Sequence, residues 1–338
     1  MPRNDDYGYA VARIRALELQ LFEPSRLQRI IDADGLDAAL QVLAESGYAR
    51  WMNEGARYDS ALEAELCATF DEFAAFVPDR ELIDVFRIPY DFHNVKVLLK
   101  GFFKAKPGGK KRYDLLTRLG SVPPDDLVSR VESEEYGLLP WRLSETIPSC
   151  VSMWEQNADI VEIERALDRR MFAEIISLAA SLGFPGVISW TRARVDSENI
   201  RNLLRMKRFG FDSSAAEPFF HDGGTVAVSA LVSMISDQPD AWVRNFAYSY
   251  AGEAVSAAIG SGGFDFSEQM PALERALDDL CSSVVKGARY STTAPENVTA
   301  YLWGKEMEIK NIRTILVSKA AKTNREGVKG MMRRGYFG

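Results

Sequence analysis

The sequence predicts an all-helical fold, and three observations carry that prediction. Apolar residues recur at helical spacing along nearly the whole chain. No run shows the strict alternation of a half-buried strand, and the breaks between helical stretches fall at clusters of proline and glycine. In the first stretch Ala10, Ile14, Leu17 and Leu21 share one helical face, and Pro24 then opens a second helix holding Leu27, Ile30 and Ile31. Farther on, KPGGKK at 106–111, SVPPDD at 121–126, LGFPG at 182–186, HDGG at 221–224 and GSGGFD at 260–265 read as inter-helix loops, short by the standards of domain linkers.

With 338 residues, 46% hydrophobic and 26% charged, the chain has the make-up of a globular protein of two or three domains. Its longest uncharged stretch, Ile175 to Thr191, is interrupted by Gly183, Pro185, Gly186 and three serines. It falls short of the roughly 20 apolar residues a membrane span needs, so no transmembrane helix is expected. The opening MPRNDDYGYA holds no apolar run, which predicts a cytosolic protein without a secretory signal. Cys67, Cys150 and Cys281 are odd in number and far apart, and are expected to be reduced, buried, apolar side chains. A net charge of −7 argues against nucleic acid as a partner. The charge is unevenly placed, since residues 305–338 carry nine Lys or Arg against three Glu.

Three segments repeat. YDFHNVKVLLKGFF from Tyr90, VDSENIRNLLRMKRFG from Val195 and MEIKNIRTILVSKAA from Met307 share an acid, two variable residues, Asn, a β-branched residue, a base and then two aliphatics. The acids and asparagines are Asp91 and Asn94, Asp196 and Asn199, and Glu308 and Asn311, with the asparagines 105 and 112 residues apart. A second landmark precedes each copy: ALE at 61–63, ALD at 166–168 and ALD at 276–278, spaced 105 and 110. In the first copy Val95, Leu98, Leu99 and Phe102 form an apolar stripe at i, i+3, i+4 and i+7, with the acid and Asn just ahead of it. These six polar residues are expected to be structural, bonding neighbouring groups where helices cross.

Residues suited to chemistry are sparse. A phosphate loop needs GxxxxGK followed by Ser or Thr, yet Gly109-Lys110 is followed by Lys111 and Gly304-Lys305 by Glu306. Only two histidines, His93 and His221, are available for metal or triad chemistry, and both read as packing or surface residues. Asp125-Asp126 and Asp278-Asp279 lack the final carboxylate of a DDxxD magnesium site. Neither catalytic residues nor a metal nor a cofactor is expected.

The repeated segments resemble the C-subunit family of archaeal and bacterial V/A-type ATPases, whose equivalent in the eukaryotic vacuolar enzyme is the d subunit. YGYAVARIRALELQLF from Tyr7 is similar to that family's aromatic start and Ala-Arg-Ile-Arg helix, and LQVLAESGYARW from Leu40 to its Leu-rich helix ending in Tyr. DFHNVKVLLK and DSENIRNLLRMK resemble its Asp-x-x-Asn helices, and KEMEIKNIRTILVSK its closing segment, the chain departing from the pattern at Glu308 and in its short end MMRRGYFG. The resemblance implies a funnel of three similar helical domains about a pseudo-threefold axis, divided at 1–118, 119–215 and 216–338. It also implies a non-catalytic rotor connector, on the cytoplasmic face of the membrane, that seats the central stalk on the proteolipid ring and passes torque between ATP chemistry and ion transport. Cations follow each Asn, among them Lys100, Lys104, Arg205, Lys207, Arg208, Lys319 and Lys322. Around such an axis they would ring an opening able to receive an acidic partner. Rival readings are an all-helical enzyme with an unrecognised small-molecule site and a generic helical scaffold, although a ~105-residue period exceeds the roughly 20–45 residues of solenoid repeats.

Overall fold

The computed structural model describes residues 7–52, 57–104, 111–259 and 269–337, the side chains of Lys104, Asp240 and Ala258 aside. The GSGGFD loop and all but Lys111 of the KPGGKK loop lie outside the described residues. Among the described residues the regular structure is helical throughout, without a strand. In chain order the helices are α1 (Gly8–Glu18), α2 (Pro24–Asp32), α3 (Gly35–Ala44), α4 (Tyr58–Phe76), α5 (Glu81–Lys104), α6 (Pro124–Glu132), α7 (Leu143–Glu155) and α8 (Ile160–Leu182). They continue as α9 (Pro185–Arg208), α10 (Ser213–Ala216), α11 (Val228–Met234), α12 (Pro239–Phe246), α13 (Gly252–Ile259), α14 (Met270–Val285), α15 (Glu296–Ala320) and α16 (Arg325–Gly330). Proline stands in the first turn of α2, α6, α9, α12 and α14, where its missing N–H has no helical partner to lose. The side chains of Asp212 and Asn324 cap α10 and α16 by accepting from Ala215 N and Gly327 N.

The chain divides into two compact units: residues 80–182 form one, and residues 1–79 with 183–338 form the other. Each signature helix packs with elements that follow it: α5 with α6, α7 and α8, and α9 with α11 and α14.

In the smaller unit α5 and α8 run antiparallel, since Lys96 reaches Asp168 while Lys100, a turn farther on, reaches Glu164, a turn farther back. Phe86, Phe92, Val95, Leu98 and Leu99 of α5 are buried among Leu127 of α6, Ile147 of α7 and Ile163, Leu167 and Ile175 of α8. Phe102, the last residue of the expected stripe, is instead 53% exposed. Its neighbour Phe103 takes the packing role by stacking on Trp154 of α7 at 4.8 Å between ring centres. Near the start of α5, burial lifts the Asp84 carboxyl to about 6, with Arg87 opposing that rise.

The larger unit holds two helix clusters. In one, α9 packs antiparallel on α14, and Leu203, Leu204, Leu231, Trp242, Phe246, Val255, Leu273 and Leu277 fill the core. In the other, α15 lies among α1 to α4, buried on nearly every face, against Ile14, Ile30, Leu43, Leu62, Leu66 and Phe73. The contacts of Trp190 with Trp303, edge to face at 5.5 Å, and of Gly186 N with Glu296 Oε1, at 3.0 Å, join α9 to α15. Cys150 and Cys281 are buried as expected, and burial pushes each thiol up to about 11. Cys67 is only half-buried, because it lies on a flank of α4 rather than on the buried face of Leu62, Leu66 and Phe73.

A raised carboxyl pKa means that the fold prefers the neutral form, so Asp84 contributes fully below about pH 4 and its contribution is lost as pH rises through about 6. Asp84→Asn is therefore expected to stabilise the chain on the order of 1 kcal/mol at pH 8 and to leave it unchanged at pH 4. Urea titrations at the two pH values check this.

Candidate functional site

Each of the three signature asparagines holds the backbone of one residue by two hydrogen bonds. Asn94 Nδ2 donates to Thr117 O at 2.8 Å, while Thr117 N donates to Asn94 Oδ1 at 2.9 Å. Asn199 does the same with His221, at 2.8 Å in both directions, and Asn311 with Arg333, at 2.9 Å in both. The captured residue lies 23, 22 and 22 positions beyond its asparagine. A primary amide presents a donor and an acceptor side by side, so it pairs with a loop residue as a neighbouring strand would. Each Asn is at most 1% exposed, which makes its amide the partner of a backbone that water barely reaches.

The acids one turn earlier extend two of these clamps. Asp91 accepts from Val122 N at 3.0 Å, Ser121 Oγ at 2.6 Å and Trp141 Nε1 at 2.9 Å. Asp196 accepts from Thr225 N at 2.8 Å, Val226 N at 3.3 Å and the Thr225 hydroxyl. Both carboxylates lie so close to the loop that only glycine fits opposite them: a Cβ on Gly120 would stand 2.3 Å from Asp91 Oδ1, and one on Gly224 2.2 Å from Asp196 Oδ1. Burial raises both carboxyl pKa values, with the hydrogen bonds pulling the other way.

Glu308 departs from this pattern. It turns to the N-terminal segment instead, accepting from Phe22 N at 2.5 Å and Tyr48 Oη at 2.7 Å. The Lys305 ammonium bridges Glu308 at 2.8 Å and Glu65 at 3.1 Å and lies 4.9 Å over the Tyr48 ring. Burial works to lower the Lys305 pKa, but Glu308 and Glu65 outweigh it and hold the ammonium above its ordinary value. For Glu65 burial likewise works upward, and Lys305, Arg50 and Trp51 overcome it to hold the carboxyl low. Breaking such a buried set by removing one partner costs about 3–5 kcal/mol.

The base two residues beyond each Asn ties its helix to an antiparallel neighbour: Lys96 to Asp168, Arg201 to Asp278 at 3.0 Å, and Arg313 to Asp59 at 3.0 Å. Asp168 and Asp278 end the ALD landmarks, whereas the third pairing falls on Asp59, one turn before the ALE landmark. Asp278 also receives Lys310 at 2.6 Å and Arg333 Nε at 2.7 Å. Burial would raise its carboxyl, and those cations together hold it below the ordinary range.

The cations of the basic helix ends differ in exposure. Lys100 pairs with Glu164, Lys207 donates to Ile235 O at 2.9 Å, and Lys319 donates to Ile31 O at 2.5 Å. Arg205 reaches Glu198 at 3.5 Å with half its side chain in solvent, and Arg208 and Lys322 are exposed. Lys104 closes α5, and its side chain lies outside the described residues. Exposed aromatics accompany the α9 end, with Phe209 at 70% and Phe211 at 38%. His93 lies on the surface with Nε2 3.1 Å from Leu115 O, and His221 is buried. Among the described residues no group of three His, Cys, Asp or Glu could hold a metal ion.

Sequence reasoning found both loops but not that the acids grip them, although a signal was present. GSV at 120–122 and GTV at 224–226 each supply a glycine, a hydroxyl and a β-branched residue, 26 and 25 positions beyond their Asn. The ion cluster of Glu65, Lys305 and Glu308 left no comparable trace, because about 240 residues separate its members.

The model of the ATP synthase (C/AC39) subunit family matches residues 10–331. The C subunit of the V-type sodium ATPase of Enterococcus hirae is 24% identical, over 96% of this chain and 97% of its own. The C subunits of the A-type ATP synthases of Haloferax volcanii and Methanocaldococcus jannaschii are each 25% identical, over 95% and 96% of this chain and 95% and 86% of theirs.

Asn199→Ala strands a buried backbone N–H and C=O and is expected to destabilise the chain by about 2–4 kcal/mol. Gly224→Ala, which crowds Asp196 at the same loop, is expected to cost about 1–3 kcal/mol. Because both release one loop, the double variant should fall short of the sum by about 1 kcal/mol, as read from urea unfolding of the four proteins.

Proposed function

Because the chain belongs to the ATP synthase (C/AC39) subunit family, we propose that it is the non-catalytic connector of a V/A-type rotary ATPase, seating the central stalk on the proteolipid ring. The observation that carries this reading is the family match along residues 10–331. The local chemistry supports it. The conspicuous polar residues of the three long helices are bound to the chain's own loops and helices, which favours a stiff body over a reactive pocket. A connector must hold its shape while torque passes through it, and clamped loops with buried ion pairs serve that need. No helix among the described residues is long and apolar enough to cross a membrane. In this reading the chain reaches the cytoplasmic face of the membrane through the ring.

We assign partner contacts to the basic end of α5 in the smaller unit and to those of α9 and α15 in the larger, each taken by itself. Held cations such as Lys100, Lys207 and Lys319 secure those ends, while Arg205, Arg208 and Lys322 present charge to solvent. At α9 the exposed Phe209 and Phe211 add apolar area beside the two arginines, a combination common at protein contacts.

A tagged chain retrieved from its source membranes is expected to bring central-stalk subunits and a proteolipid ring with it, and recovery of neither would overturn the connector role. Reversing charge at Arg205 and Arg208 is expected to lower recovery about tenfold at low salt and much less at ~0.5 M salt, where screening removes the contribution. Equal recovery of wild type and variant in both conditions would remove α9 from the interface.

A further inference from the structure

Where α14 gives way to the turn Lys286–Tyr290, the C-terminal segment crosses α15 so closely that a Cβ on Gly304 would stand 2.8 Å from Tyr336 Cβ. The crossing leaves a cavity of about 40 Å³, with Lys286, Arg289, Arg334, Ser282, Trp303 and Tyr336 in its lining. The turn is fixed from behind, because Arg15 Nη2 donates to the carbonyl oxygens of Arg289, at 2.5 Å, and Ser291, at 3.1 Å.

The three cations of this lining are poorly compensated. Lys286 and Arg289 make no ion pair among the described residues; Arg289 instead rests on the Tyr290 ring at 5.6 Å. Arg334 stands 3.9 Å from Asp279, whose carboxylate is already engaged by the Arg334 backbone N–H at 2.6 Å. The adjacent Arg333 differs, its guanidinium being bound to Asp278 at 2.7 Å. Three cationic residues in the lining of one cavity, beside an indole and a phenol, are a setting that favours an anion, and guanidinium forks match tetrahedral oxyanions.

Independently of the connector reading, we propose that this cleft binds a small tetrahedral oxyanion, of which inorganic phosphate is the type. Size sets the class: one water needs about 10–15 Å³ of such volume, so 40 Å³ admits a head a few waters across and no nucleotide. Lys286 and Arg289 supply the charge and Arg334 a third cation, while Ser282 Oγ is taken up, accepting from Trp303 Nε1 at 2.9 Å.

Isothermal titration of the full chain with potassium phosphate, against potassium chloride at matched ionic strength, tests the site. Saturable one-to-one binding is expected, weakened about tenfold or more in Lys286→Gln/Arg289→Gln and unchanged in Arg169→Gln, an exposed residue of the smaller unit. Arg334→Gln, on an exposed side chain, is expected to weaken binding without shifting the thermal midpoint of the free protein, which guards against misfolding of the double variant. Three results would each overturn the proposal: absence of saturable heat, an equal response to acetate, or unaltered affinity in both the double variant and Arg334→Gln.

Discussion

The two-bond clamp between a buried asparagine and the backbone of one residue is the constraint on which the rest of this structure depends. A long helix followed by a long connection faces an entropic cost in holding that connection down, and apolar contacts alone do not fix its register. One amide that matches a single N–H and a single C=O does fix it. The same solution recurs at Asn94, Asn199 and Asn311 with nearly one spacing. With the loop pinned, the carboxylate a turn earlier meets its donors, and the base two residues later lies opposite an acid on the antiparallel helix. Fewer than two turns of one helix thus organise a loop, a glycine contact and a helix pair.

In the third copy the same turn of helix finds other partners, and Glu308 reaches the N-terminal segment through Phe22 and Tyr48. Its extra methylene relative to Asp lengthens that reach. Lys305 between Glu65 and Glu308 then balances charge in a place where an unpaired carboxylate would be costly.

Much of this was legible in the sequence, for identifiable reasons. Helical spacing, proline at first turns and glycine in connections are local signals, and they locate α2, α9 and the loops around Gly120 and Gly224. The repeated Asp/Glu-x-x-Asn was visible because three copies agree in spacing. What the amide binds was hidden, since a residue 22 or 23 positions away is neither a helical neighbour nor a cross-strand one. Exposure also eluded the pattern. Phe102 continues an apolar stripe on paper, yet Phe103 takes the stacking partner on α7. Periodicity cannot distinguish which of two adjacent aromatics a neighbouring helix will cover.

The burial of α15 among α1 to α4 has a consequence in time. Those four helices are complete at Phe76, while the helix that covers their apolar faces begins at Glu296, some 220 residues later. At about 5–20 residues per second, a ribosome needs roughly 10–45 s to supply it. During that interval Ile14, Ile30, Leu43 and Phe70 belong to a half-finished cluster on the nascent chain, while residues 80–182 emerge as a unit with its own core. Helices α1 to α4 thus stay without the cover of α15 for all of that interval.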